Sequence, residues 1–202
     1  MNSIYLSAKS ISKKFNNKYI FKDISFSLSI GESILISGSN GSGKTTLLKI
    51  IAGLDKSYYG KLIISDDKKN ITADKIPTLV SYVSPITQLY EELTPAEHIK
   101  FFCGYQEIPE QYLFLLNTEK QNFAYKKTSE LSTGMKQRVK ILMAILLNRT
   151  IWVFDEITLG LDKKGKKYIY DLIDRFRDEK LLIFATNEKS EYKICEKAIT
   201  LD

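Results

Sequence analysis

The stretch Gly38-Ser39-Asn40-Gly41-Ser42-Gly43-Lys44-Thr45 constrains the chain more than any other. The apolar run Ile34-Leu35-Ile36 precedes it and Leu47-Leu48-Lys49-Ile50-Ile51 follows at once. That order reads strand, glycine-rich loop, helix. With the spacing Gly-x4-Gly-Lys-Thr, the glycines let the backbone turn tightly and aim its N–H groups at anionic oxygens. The positive end of the next helix dipole reaches the same spot. The pattern predicts a phosphate site lined by Gly38, Ser39, Asn40, Gly41, Ser42, Gly43, Lys44, Thr45 and Thr46. Lys44 is placed to reach the β and γ phosphates, and the Thr45 hydroxyl to hold Mg²⁺.

A chain of 202 residues suits one large domain, or one domain with a small lobe. An apolar fraction of 44% is ordinary for a globular protein. No apolar run approaches the roughly 20 residues that span a bilayer, and Met1-Asn2-Ser3-Ile4-Tyr5 lacks the basic-then-apolar build of a signal peptide. A cytoplasmic location is the expectation. Cys103 and Cys195 stand far apart and read as plain thiols. The single His98 cannot build a metal site and is expected on a helix surface. The net charge of +6 comes from scattered lysines. With no zinc-finger, helix-turn-helix or aromatic RNA-binding signature, no nucleic-acid partner is expected.

Residues 1–37 read as β structure. Ile24, Phe26, Leu28 and Ile30 alternate with polar residues, as in a half-buried antiparallel strand. Phe15-Asn16-Asn17-Lys18-Tyr19 reads as the turn between two such strands. The helix after the loop carries Leu47, Leu48, Ile51 and Leu54 on one face and stops at Gly53-Leu54-Asp55. Short strands are expected at Lys61–Ser65 and Leu79–Val83, with a polar loop at Asp66–Asn70. Thr94-Pro95-Ala96-Glu97 has the form of a capping box, opening an aromatic-rich helical lobe over about 94–130. Its aromatics are expected mostly in its core. A helix with Met135, Val139, Leu142 and Leu146 on one face follows. Ile151–Phe154, a helix carrying Ile169, Leu172, Ile173 and Phe176, Leu181–Phe184 and Ala198–Leu201 complete an alternating α/β pattern.

Ile151-Trp152-Val153-Phe154 ends in Asp155-Glu156, about 110 residues beyond Thr45. A strand ending there delivers Asp155 to the phosphate site as a Mg²⁺ ligand and Glu156 as a carboxylate able to polarise water. Between these motifs stands Leu131-Ser132-Thr133-Gly134-Met135-Lys136-Gln137-Arg138, which resembles the Leu-Ser-Gly-Gly-Gln-x-Gln-Arg signature of ABC-type ATPases. The resemblance covers nearly the whole chain, with the family's motifs in the family's order. It implies a single cassette over 1–202. The parts are an α/β P-loop NTPase core with a mainly parallel sheet, an antiparallel β subdomain (about 1–37 with 58–66) and a small helical subdomain (about 94–130). It implies ATP and Mg²⁺ as ligands, with Ser132 and Gly134 closing on the γ-phosphate of a second subunit. Ser132 also reads as a plain helix N-cap. Leu159-Gly160-Leu161-Asp162 resembles the family's D-loop, and Asp162 can cap the next helix as well. Phe15, with Tyr19 as alternate, sits where the family stacks an aromatic residue on adenine.

Two positions depart from the family pattern. Ser84-Pro85 stand where the metal-side glutamine is expected, so either Gln88 takes the role through another loop path or the role is absent. Asn187 stands in place of the switch histidine; it can hydrogen-bond but cannot carry a proton or charge. The resemblance implies an ATPase, with Glu156, Lys44 and Asn187 in the catalytic roles and hydrolysis slowed by Asn187. It also implies a homo- or heterodimer with a second cassette and a separate membrane permease, docked on the helical lobe and the loop Pro85–Glu92. Two competing readings are a degenerate cassette that binds ATP as a switch and a soluble ABC ATPase outside transport. A GTPase or small-molecule kinase would not explain the signature.

Overall fold

The computed structural model describes residues 4–66, 69–117, 121–187 and 195–201. The expected β region from residue 1, the loop Asp66–Asn70 and the lobe at 94–130 therefore each include positions outside the described residues. The chain divides into two compact units: 1–82, 149–156 and 170–202 form the first, and 83–148 with 157–169 the second.

In the first unit, β1 (Tyr5–Phe15) and β2 (Lys18–Ser29) form an antiparallel hairpin, and β4 (Tyr59–Ser65) joins the other edge of β1. The hairpin turns on Asn16 and Asn17, both left-handed with φ of 46° and 64°. Their short side chains tolerate that conformation, and a turn of this twist matches the strands it joins. Of the alternating set, Leu28 is fully buried, Ile24 and Phe26 on β2 pack at the border of the core, and so does Ile30, one residue beyond the strand's end.

A second sheet has the order β5-β6-β7-β3-β8, with β3 at Ser33–Gly38, β5 at Val80–Val83, β6 at Ile151–Asp155, β7 at Leu181–Ala185 and β8 at Lys197–Leu201. The β6–β7, β7–β3 and β3–β8 pairings are parallel. All residues of β6 and β7 are buried, which is why these strands read as unbroken apolar runs. Helix α1 (Lys44–Ile51) buries Leu47, Leu48, Ile50 and Ile51 in the same core. It ends before Leu54, which is exposed rather than part of the apolar face. A one-turn helix, α2 (Ile76–Leu79), precedes β5 and has no periodic signal in the sequence.

The second unit contains α3 (Pro95–His98), capped by reciprocal Thr94 and Glu97 hydrogen bonds, and α4 (Thr133–Leu146). Helix α5 (Lys163–Phe176) begins in this unit and ends in the first. The expected helical lobe is shorter and less regular than its aromatic content suggested. α3 widens into a π-helical turn over Ile99–Cys103, Gly104 ends it at φ 77°, and 3₁₀ turns follow at Glu110–Leu116 and Thr128–Glu130. Its aromatics are also not mainly core: Phe123 is buried, but Phe101, Phe102, Tyr105 and Tyr125 are exposed. His98 is buried, not on the surface. Its Nδ1 lies 2.9 Å from the Thr94 carbonyl, and its Nε2 accepts from the Tyr90 N–H at 2.9 Å. That pair of contacts fixes the tautomer with the proton on Nδ1.

Candidate functional site

In the first unit the glycine-rich loop leaves the end of β3 and enters α1. Gly38 has φ of 147°, and a Cβ there would lie 2.3 Å from the Leu201 carbonyl oxygen and 2.6 Å from Ser42 Oγ. Only glycine allows this approach. The Lys44 ammonium is buried and curls over the loop, donating to the Gly38 and Ser39 carbonyls at 2.8 and 2.9 Å. Ser42 Oγ is buried in the same loop without a hydrogen-bond partner. A buried hydroxyl, a buried ammonium and a glycine-lined turn suit a phosphate chain.

Thr45 Oγ1 donates to Asp155 Oδ2 at 2.6 Å. The strand β6 carries Asp155 there, paired in register with Ala185 of β7. Burial pushes the Asp155 carboxyl above the usual carboxylate range, against the lowering pull of the Thr45 hydrogen bond, Lys44 and Lys49. A buried carboxylate beside a hydroxyl, in surroundings that disfavour its charge, fits a divalent cation at this position.

Glu156 follows with φ of 47°, a left-handed conformation, and its N–H donates to the Ala185 carbonyl at 2.8 Å. The turn aims its side chain at Asn187, whose Nδ2 donates to Glu156 Oε1 at 3.2 Å and also to Asn40 Oδ1. Asn40 belongs to the phosphate loop. The Asn187 amide thus joins the loop to the carboxylate, a link between residues far apart in the chain that no local sequence pattern announces.

Phe15 is 67% exposed at the end of β1. Tyr19, the alternate, has the Lys14 and Lys22 ammonium groups 4.4 and 4.1 Å from its ring centroid. Its faces serve cations, whereas no ring or cation contact claims Phe15 among the described residues.

The second unit holds the rest. Ser132 Oγ accepts from the Met135 N–H at 3.3 Å and N-caps α4, so the capping expectation is met. A Cβ on Gly134 would lie 2.3 Å from the Gly160 carbonyl oxygen, so glycine is required for α4 to approach the Leu159–Asp162 turn. Gln137 is buried and ties the same region together by donating to the Ile157 carbonyl at 3.0 Å. Asp162 Oδ1 accepts from the Gly165 N–H at 2.7 Å, capping α5, and lies 3.7 Å from Arg138. Gln88 is exposed and lines a cavity in this unit. Ser84-Pro85 form a tight turn, with Ser84 Oγ accepting from Ile86 N–H and Ser84 O from Thr87 N–H. Lys140, which sequence reasoning passed over, donates to the Ser84 and Pro85 carbonyls at 3.0 and 3.2 Å. Its polar position within an otherwise apolar helix stretch was the available signal.

These features together define a nucleotide-binding α/β cassette. A family model described as ABC transporter matches residues 21–159. The cytochrome c biogenesis ATP-binding export protein CcmA of Reclinomonas americana is 36% identical over 154 residues, covering 73% of this chain and 68% of that protein. An uncharacterized ABC transporter ATP-binding protein of Bacillus subtilis, YdbJ, is 32% identical over 202 residues, covering 97% of this chain and 66% of that protein. A solved dimeric ATP-binding cassette in a post-hydrolysis state, bound to ADP and Pi, has the same fold with a TM-score of 0.80 at 24% identity, covering 98% of this chain and 94% of that one. The chain belongs to the ABC transporter family, as an ATP-binding cassette of the family's ATPases. Among the described residues no helix is long and apolar enough to cross a membrane.

Proposed function

We propose that the chain is the motor subunit of an ABC transporter. Two cassettes, identical or related, close head to tail over ATP, and hydrolysis separates them. The motion drives a separate permease that holds the chain at the cytoplasmic face of the membrane. The exposed aromatics of the second unit and the loop Pro85–Glu92 form the docking side. The observation that carries this reading is the convergence of Thr45, Asp155, Glu156 and Asn187 on one glycine-lined loop.

Within that site each residue has a physical task. Thr45 and Asp155 would hold Mg²⁺, which when bound would supply divalent charge to neutralise the phosphates. Lys44 donates to phosphate oxygens, together with the loop N–H groups. Phe15, its ring unclaimed, stacks on adenine. Glu156 orients the water that attacks the γ-phosphorus in line and accepts its proton, releasing ADP and phosphate. Ser132 and Gly134 of the second cassette offer a hydroxyl and an N–H group to the γ-phosphate. Gln88 remains the candidate for the missing glutamine.

Asn187 holds Glu156 but carries no titratable proton, so slow or partner-dependent turnover is expected. The same residue favours a second reading, a cassette that binds ATP as a switch and barely hydrolyses it. Turnover with Mg-ATP, alone and with the permease, tests both. Hydrolysis lost in Glu156→Gln with ATP binding retained supports the motor. Binding without turnover in either protein supports the switch. Equal turnover in both proteins refutes the role of Glu156. Asn187→His should change the rate or the ATP affinity; if neither moves, Asn187 does not act at the γ-phosphate.

A further inference from the structure

The outer face of the three-stranded sheet is a lysine and tyrosine surface that the catalytic roles leave unused. β1 carries three lysines, β2 two and β4 one, against the single acid Asp23. Lys13 turns away to pair with Asp55. Lys9 and Lys61 stand directly opposite each other across β1 and β4, and both are exposed. Like charges in that position repel. Lys14 stands opposite Tyr19 across β1 and β2, and its ammonium lies 4.4 Å from the Tyr19 ring centroid and 5.6 Å from that of Tyr59. The Lys22 ammonium lies 4.1 Å from the same Tyr19 ring, so one ring serves two cations. Tyr59 and Lys61 are two residues apart on β4 and share a face, which joins the two lysine pairs into one surface. Among the described residues Lys9, Lys14, Lys22 and Lys61 form no ion pair, and Asp23 forms none either. Lysine on an edge strand guards against edge-to-edge pairing. That accounts for Lys22 and Lys61 on the edges β2 and β4, but not for Lys9 and Lys14 on the central strand.

We propose that this face binds an anionic lipid surface, with Lys9, Lys14, Lys22 and Lys61 taking the headgroup phosphates. Charge complementarity selects the class of partner: unpaired ammonium groups, spread over one sheet face, meet an array of phosphates. Single-stranded nucleic acid offers phosphates too, but it stacks its bases on free aromatic faces. Here the Tyr19 and Tyr59 rings are engaged by ammonium groups. A lipid surface makes no such demand, and exposed tyrosines such as Tyr5, Tyr19 and Tyr59 suit the headgroup level. The contact is made by the cassette itself, so it goes beyond the transporter reading and needs no permease.

The test is flotation of the full chain with vesicles of phosphatidylcholine alone, or of phosphatidylcholine and phosphatidylglycerol in equal parts, at rising NaCl. Wild type should bind the mixed vesicles and not the neutral ones, and its affinity should fall as salt rises. Replacing Lys9 and Lys61 together by glutamine should weaken binding about 25-fold, at about 5-fold for each lysine. The same double change at Lys75 and Lys163, exposed lysines outside the sheet, removes equal charge and should weaken binding far less. Unchanged melting and ATP affinity show that both double variants are folded. Absence of binding to the mixed vesicles overturns the proposal, and so does an equal loss in the two double variants, which would mark a general effect of net charge. Displacement by inorganic phosphate beyond that by chloride at equal ionic strength assigns the face to a free anion and overturns it. Tighter binding of single-stranded RNA than of mixed vesicles, lost in the Lys9 and Lys61 variant, assigns it to nucleic acid and also overturns it. None of these outcomes touches the transporter reading, which stands or falls on turnover.

Discussion

Asp155, proposed above to hold Mg²⁺, is buried at a cost to the fold, and Asp155→Asn measures that cost. The carboxyl is 3% exposed and its ordinary acidity is suppressed, with burial the largest cause. The Thr45 hydroxyl, Lys44 and Lys49 recover part of the penalty. The net shift is upward, so the folded site disfavours the charged carboxylate more than water does. Asparagine keeps the shape and an oxygen that accepts from Thr45 at the 2.6 Å contact. The substitution exchanges a charge-assisted hydrogen bond for a neutral one and removes the desolvation of a charge. A net gain of about 1–2 kcal/mol fits the usual penalty for an incompletely compensated buried polar group. For a chain of this size that is a rise of about 2–8 °C in Tm. Trp152, the single tryptophan, is buried in β6 beside the site, so its fluorescence reports melting of the first unit. Because Asp155 binds its proton more tightly in the folded state, protonation favours folding. The advantage of asparagine should therefore shrink as pH falls through the raised carboxyl value. With Mg-ATP the order reverses: ligand at 100 times its Kd stabilises wild type by about 2.7 kcal/mol, and Asp155→Asn should lose most of that. An unchanged or lowered Tm for ligand-free Asp155→Asn at neutral pH refutes the reasoning.

Two further substitutions probe the supports. Gly134→Ala drives a Cβ into the Gly160 carbonyl at 2.3 Å. Backbone must move, so a loss of about 1–3 kcal/mol is expected in the second unit, read as faster amide exchange along α4 with the first unit unaffected. Lys13→Met leaves the Asp55 carboxylate without the ammonium now 2.7 Å away, at a cost of about 1–2 kcal/mol. Burial pulls the Asp55 carboxyl upward, but the Lys13 hydrogen bond, the Ser57 N–H, and the charges of Lys13 and Lys49 outweigh it and hold the group low. Its contribution is then present above the unfolded carboxylate value, about pH 4, and is lost as pH falls through the lower folded value. Melting curves of wild type and Lys13→Met should converge in that acid range.

The parts that were legible in the sequence share a cause. β3, β6 and β7 are buried on both faces, so continuous apolar runs betray them. The glycine-rich loop and the α4 start are legible because glycine and serine there answer a local demand of the backbone. The capping box at Thr94–Glu97 marks where the lobe opens but not how far a regular helix continues. Phe101 and Phe102 are adjacent and cannot share one helical face, while Gly104 and Pro109 interrupt the run. Burial of His98 depends on the Tyr90 N–H, a contact made by loop geometry that residue spacing does not encode.

Asn187 shows how a departure from a family pattern acquires meaning only in three dimensions. In the sequence it stands where the family resemblance implies a titratable histidine. In the fold, its single nitrogen bears two hydrogens, one directed to Asn40 and the other to Glu156. An imidazole nitrogen carries at most one hydrogen, so a histidine there could not serve both acceptors from one atom. Asn187 therefore forms a bridge without a titratable proton between the phosphate loop and the Glu156 carboxylate. Displacement of Asn40 by nucleotide would be felt at Glu156 through one side chain, whatever the pH does to the rest of the site.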